Sequence, residues 1–190
     1  VLANSRTAWS QRQDEIIDWT PDDPRSVLIE LDQTEASSLG AEADVIGGGP
    51  DGFPDVYALD VYSGRKHLVA RQRAPIQSFT TDGHGQVRLG YGVIDSKLVY
   101  FARLEGERSW KELARVEAYA GEDAFLPIAA IAGSNFAYAR RDYQGRDALW
   151  KIDLDDASDP QLVFAHPEAD LDEALFTDDR RLLGFSLETD

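Results

Sequence analysis

The chain of 190 residues contains no cysteine. Disulfide staples, thiolate metal sites and cysteine nucleophiles are excluded together, and the redox compartment stays open, because oxidising and reducing spaces both tolerate a thiol-free chain. Methionine is also absent, including at position 1. Basic charge is scarce: 19 Lys and Arg stand against 35 Asp and Glu, a formal net charge of -16. Such a surface repels phosphate, so neither nucleic acid nor an anionic membrane is expected as a partner. The charges are scattered without long like-sign runs, which reads as a solvated exterior rather than an interaction tail. No stretch approaches the ~18 apolar residues of a membrane span. The opening Val1, Leu2, Ala3, Asn4, Ser5 and Arg6 lacks the charged and apolar regions of a signal peptide. Cytoplasm and periplasm both remain open.

What is present is the composition of a folded protein, 43% hydrophobic and 28% charged. A chain of this length buries about 70% of its unfolded surface, so a core forms without cross-links.

The chain repeats itself. Trp19-Thr20-Pro21-Asp22-Asp23, Phe79-Thr80-Thr81-Asp82-Gly83 and Phe176-Thr177-Asp178-Asp179-Arg180 share an aromatic, a Thr, any residue, an Asp and a turn residue. Ile131-Ala132-Gly133-Ser134-Asn135 stands between the last two as a degenerate copy. Downstream, Val56-Tyr57-Ala58-Leu59-Asp60-Val61 matches Leu149-Trp150-Lys151-Ile152-Asp153-Leu154, and Val99-Tyr100-Phe101-Ala102-Arg103-Leu104 matches apart from the Asp. Apolar residues alternate with period two, as in Val87, Leu89, Tyr91 and Val93, the signature of strands. Four short strands per recurring unit is the arithmetic of a β-propeller blade. The expected fold is all-β, a partial β-propeller of about three and a half four-stranded antiparallel blades. They run from about 16–70, 76–115 and 125–165, with a half blade at 171–190. The Asp of each Thr-x-Asp segment is expected to accept backbone N–H groups across the first turn of its blade, the Thr to cap the strand end, and the aromatic to pack between blades. Three and a half blades do not close a ring, so residues 1–190 read as one propeller segment of a larger protein, with strand edges prone to self-association.

Chemistry-bearing residues are sparse. Gly184-Phe185-Ser186-Leu187-Glu188 approaches the G-x-S-x-G elbow of α/β hydrolases, but Glu replaces the second Gly and the segment reads as strand, so Ser186 is not a nucleophile. His67, His84 and His166 are far apart in sequence and read as surface imidazoles at turns or strand ends. Asp153, Asp155, Asp156 and Asp159 suggest a calcium loop, yet Ser158 stands where the loop needs Gly and Phe164 where it needs Glu. Gly47-Gly48-Gly49-Pro50-Asp51-Gly52 lacks the Lys and Ser/Thr of a phosphate loop. No catalytic, cofactor or metal residue is assigned, and no cofactor is expected. The longest connection, Asp32 to Pro54, is expected on one face of the disc together with 71–75, 92–96, 116–123 and 142–147, and that face is the candidate contact surface.

The stretches from Ile16 to Pro24, from Pro54 to Arg65, Gly83 to Gly92, and Val163 to Glu168 resemble the N-terminal propeller of bacterial prolyl oligopeptidase family serine peptidases. The resemblance covers most of the chain, from about Asp14 to Asp190. It implies a propeller that caps an α/β-hydrolase domain of the parent chain and restricts access to short peptides. The family's catalytic Ser, Asp and His lie in that second domain, so none carries over to this segment. The expected function is therefore a non-catalytic propeller segment that gates peptides. The alternative is a non-enzymatic β-propeller scaffold that binds a protein partner through its loop face.

Overall fold

Residues 15–31, 53–117, 124–156 and 159–188 are described by the structure, a computed structural model. Among these residues the chain is all β, with fourteen strands and no helix. Sheet 1 comprises β1 (Glu15–Asp18), β2 (Ser26–Leu31), β3 (Asp55–Asp60) and β4 (Lys66–Ala70). Sheet 2 comprises β5 (Ile76–Thr81), β6 (Val87–Ile94), β7 (Lys97–Ala102) and β8 (Lys111–Glu117). Sheet 3 comprises β9 (Leu126–Ala130), β10 (Phe136–Tyr143), β11 (Arg146–Asp153) and β12 (Gln161–Phe164). Sheet 4 pairs β13 (Asp170–Phe176) with β14 (Leu182–Glu188). Strands are antiparallel and follow chain order in every sheet.

Pairing between second and third strands is regular. It runs from Ser26↔Asp60 to Leu31↔Asp55, from Leu89↔Ala102 to Ile94↔Lys97, and from Phe136↔Asp153 to Tyr143↔Arg146. Both outer pairs of each of these three sheets carry a register shift. Such bulges bend a strand and increase its right-handed twist. The connections expected at 92–96 and 142–147 tighten to two-residue turns, because both central residues adopt positive φ: Asp95 (50°) with Ser96 (66°), and Gln144 (57°) with Gly145 (85°). This is the turn whose twist matches flanking strands.

Sheets 1 and 2 bury a shared cluster of Leu28, Val56 and Ala58 against Ile76, Phe79, Val99 and Phe101, with the Trp110 ring 5.6 Å from that of Phe79. Sheets 2 and 3 meet at Leu89 and Ala102 against Ala130, Ala137, Ala139 and Ile152, where small side chains let the backbones approach closely. Each large side chain buried this way stabilises the fold by roughly 1.5–3 kcal/mol. Sheet 4 docks on sheet 3 through Tyr138 and Phe176 (centroids 5.5 Å apart) and the stacked rings of Phe164 and Phe185 (4.2 Å).

The sheets are also clasped by charged side chains. Glu30 on β2 accepts the backbone N–H of Phe79 on β5. Arg88 on β6 donates to the carbonyls of Arg103 (2.7 Å) and Ser134 (2.8 Å) and pairs with Glu105. Arg140 on β10 donates to the Leu171 carbonyl of β13 at 2.7 Å. In all three cases a second strand reaches the next sheet. The period-two reading treats Arg88 as an outward polar residue, yet it is 1% exposed. Sheet 2 is covered on both faces, so alternation along β6 does not map onto exposure; the hydrogen bonds above compensate for burying the guanidinium.

Candidate functional site

Three loops joining first to second strands meet at one end of the molecule: 19–25 in sheet 1, 82–86 in sheet 2 and 177–181 in sheet 4. Their folds follow from short-range hydrogen bonding by Asp and Thr. Asp82 Oδ1 accepts the N–H groups of His84 (2.9 Å) and Gln86 (3.1 Å), while its own N–H donates to the Gln86 carbonyl (3.0 Å). Thr177 makes the equivalent ring: its N–H donates to the Arg181 carbonyl (2.9 Å) and its hydroxyl accepts the Arg181 N–H (2.9 Å). Three residues further on, Gly85 and Arg180 both have positive φ, 83° and 60°. Asp82 is thus the counterpart of Thr177, whereas the sequence repeat places Thr80 there. Both hairpins carry a bulge just before the turn, at Thr80/Thr81 and at Leu175/Phe176, so Thr81 rather than Phe79 takes the place of Phe176, an offset of two residues that the motif match misses.

In sheet 1, Thr20 donates its hydroxyl to the Ser26 carbonyl, the expected strand cap. The turn-bridging carboxylate there is Asp18, which accepts the N–H of Thr20 (2.7 Å) and, from the next sheet, that of Gly85 (2.8 Å). Asp22, expected in that role, instead faces His84. Of the three motif aromatics, Phe79 and Phe176 pack between sheets, but Trp19 is 60% exposed.

His84 Nδ1 lies 2.5 Å from Asp22 Oδ2, joining the first two loops. Gly83 joins the second to the third: a Cβ there would stand 2.6 Å from the Asp178 carbonyl oxygen and 2.8 Å from Arg180 Cγ, and its φ of 79° independently favours glycine. Between the loops lies an open cleft of about 310 Å³ lined by Pro21, Asp22, His84, Thr177, Asp178, Asp179 and Arg181. Three carboxylates here face one guanidinium and one imidazole. The Asp22 hydrogen bond holds His84 above its ordinary pKa; partial desolvation opposes this, and the charges of Asp22, Asp82 and Asp179 reinforce it. The Thr177 hydroxyl holds the Asp179 carboxyl below the usual range, with Arg181 adding to the effect. Two neighbouring buried atoms, Asp82 Oδ2 and Arg180 Nε, have no hydrogen-bond partner.

Chemically the cleft offers polar contacts and one titrating imidazole. The Thr177 hydroxyl is turned to Asp179. Among the described residues no three His, Asp or Glu side chains gather to hold a metal ion. His67 lies on β4 and His166 follows β12, where its Nδ1 accepts the Glu168 N–H at 3.2 Å. Ser186 lies on β14, as expected for a strand residue, and donates to Asp172 at 2.9 Å. Asp153 accepts the N–H of Asp155 (2.8 Å), whose carboxylate pairs with Lys111 (3.0 Å). Ser158 and most of the 32–54 connection lie outside the described residues, as does 118–123. The cleft sits at the strand ends opposite the 71–75, 92–96 and 142–147 connections. It goes unmarked in the sequence because Asp22 and His84 are 62 residues apart and meet only once sheets 1 and 2 pack.

Comparison with known proteins finds no matching family model and no matching curated relative.

Proposed function

We propose that the four sheets are consecutive blades of a β-propeller and that this chain is its non-catalytic segment. We propose further that the propeller belongs to a prolyl oligopeptidase-like serine peptidase and gates the entry of short peptides to a hydrolase domain. The observation that supports the propeller reading is the order of contacts. β1 lies against β5 and β5 against β9, and Glu30, Arg88 and Arg140 each tie a second strand to the following sheet. Blades stacked radially make this pattern, each touching its chain neighbours. The peptidase reading is supported by the sequence resemblance, and so is the non-catalytic reading, since the resemblance puts the family's catalytic residues in the other domain.

The test is hydrolysis of short peptide amides by the full polypeptide read from its own gene, beside the 190-residue chain. The expected result is a G-x-S-x-G elbow downstream of Asp190, cleavage by the full polypeptide that a serine-directed phosphonylating reagent abolishes, and none by the chain alone. A reading frame that stops within a blade's length of Asp190, or turnover by the repurified chain, overturns the gating reading. The first outcome leaves a scaffold that binds a protein partner.

A further inference from the structure

The loops of sheets 1 and 2 are held together by few polar ties: Gly85 N–H to Asp18 (2.8 Å), the Thr81 hydroxyl to the Ile17 carbonyl (3.4 Å), and His84 to Asp22 (2.5 Å). Only the last changes charge near neutral pH. It is open to solvent, with side-chain exposures of 35% for His84 and 77% for Asp22, so protons exchange freely with it. The remaining charged groups around it are Asp82 on its own loop, Asp18 on β1, and Asp178, Asp179, Arg180 and Arg181 on the loop of sheet 4. Carboxylates outnumber guanidiniums in this set, and a protonated imidazole offsets part of the excess.

We infer that the His84–Asp22 contact is a pH-operated clasp, in which the imidazolium ties the loop of sheet 1 to that of sheet 2 and its deprotonation loosens the mouth of the cleft. Neutral His84 keeps at most one hydrogen bond to Asp22. It loses the ion pair and the attraction of Asp82 and Asp179. Because the closed form favours the protonated ring, the clasp is complete below the ordinary imidazole value of about 6.5. It weakens as pH rises through the higher value that the closed form imposes. The inference stands apart from the peptidase reading, since it concerns only loops present in this chain.

Proton NMR of the whole chain from pH 5 to 9 tests it. The expected result is a His84 midpoint above the ordinary imidazole value of about 6.5 and lowered by Asp22→Asn. Amide exchange at Gly85, corrected for its intrinsic pH dependence, is expected to quicken at least about threefold through that midpoint in the wild type and to show no such step in His84→Gln. Should Asp22→Asn fail to fold, Asp179→Asn is expected to lower the midpoint by a smaller amount. An unmoved midpoint in the folded variants, or the same exchange step in His84→Gln, overturns the clasp.

Discussion

Glu30 and Phe79, 49 residues apart in the chain, meet where sheet 1 packs on sheet 2, the carboxylate accepting the Phe79 backbone N–H. Glu30 is 7% exposed and Phe79 2%. Glu30→Ala leaves that donor buried and unsatisfied, a cost of about 1–3 kcal/mol. Glu30→Gln keeps an acceptor oxygen in place and is expected to cost less. Urea denaturation of both variants checks the order, and equal losses would disprove it.

Arg88 anchors sheet 2 to sheet 3 by its planar fork. Replacing it with Met keeps much of the volume and removes the bonds to Arg103, Glu105 and Ser134. Glu105 is exposed enough to rehydrate, so the expected loss is about 1.5–3 kcal/mol. Arg88→Lys does not restore it, because one ammonium cannot serve three divergent acceptors. The melting temperature of the three proteins is the measurement.

Two strand glycines separate close approach from open space. A Cβ at Gly92 would overlap the Pro75 carbonyl oxygen, whereas one at Gly184 meets nothing within 4 Å. Gly92→Ala is expected to cost at least about 1–3 kcal/mol through forced backbone movement. Gly184→Ala is expected to be neutral or to stabilise by up to about 1 kcal/mol. Chemical denaturation distinguishes them.

Asp60 closes the turn after β3. The N–H of Ser63 and the Arg25 guanidinium hold its carboxyl at about 2, with the N–H of Tyr62 adding to them. A depressed value means that the contribution of Asp60 to stability is present at neutral pH and is lost as pH falls toward 2. In Arg25→Gln the carboxyl is expected to titrate higher while staying below about 3.9. Carbon-13 NMR of the carboxyl reads this directly, and an unchanged midpoint would remove Arg25 from the account.

The strands were legible from the sequence because local chemistry encodes them. Alternating Val, Leu and Tyr punctuated by Gly, Asp and Ser mark the chain as all β, built of short antiparallel strands. Register was less legible. β5 runs two residues further past its motif aromatic than β13 does, which puts Asp82 in the position of Thr177, and two-residue turns at Asp95-Ser96 and Gln144-Gly145 replace longer expected loops. Least legible were Arg88, Glu30 and the His84–Asp22 pair, whose partners lie 46 to 62 residues away. No local pattern records such contacts, since they exist only after separate sheets have packed.

Each sheet is drawn from one continuous stretch of sequence, and among the described residues the strand contacts between sheets run chiefly to the next sheet in order, while Gly83 ties the loop of sheet 2 to that of sheet 4. Tension applied at the two ends therefore need not tear the whole molecule at once. A terminal sheet, whose strands lie against one other sheet, peels away once its loop contacts part, while those behind it hold. Under an optical trap the extension trace is expected to climb in discrete steps, each the contour length of a single sheet.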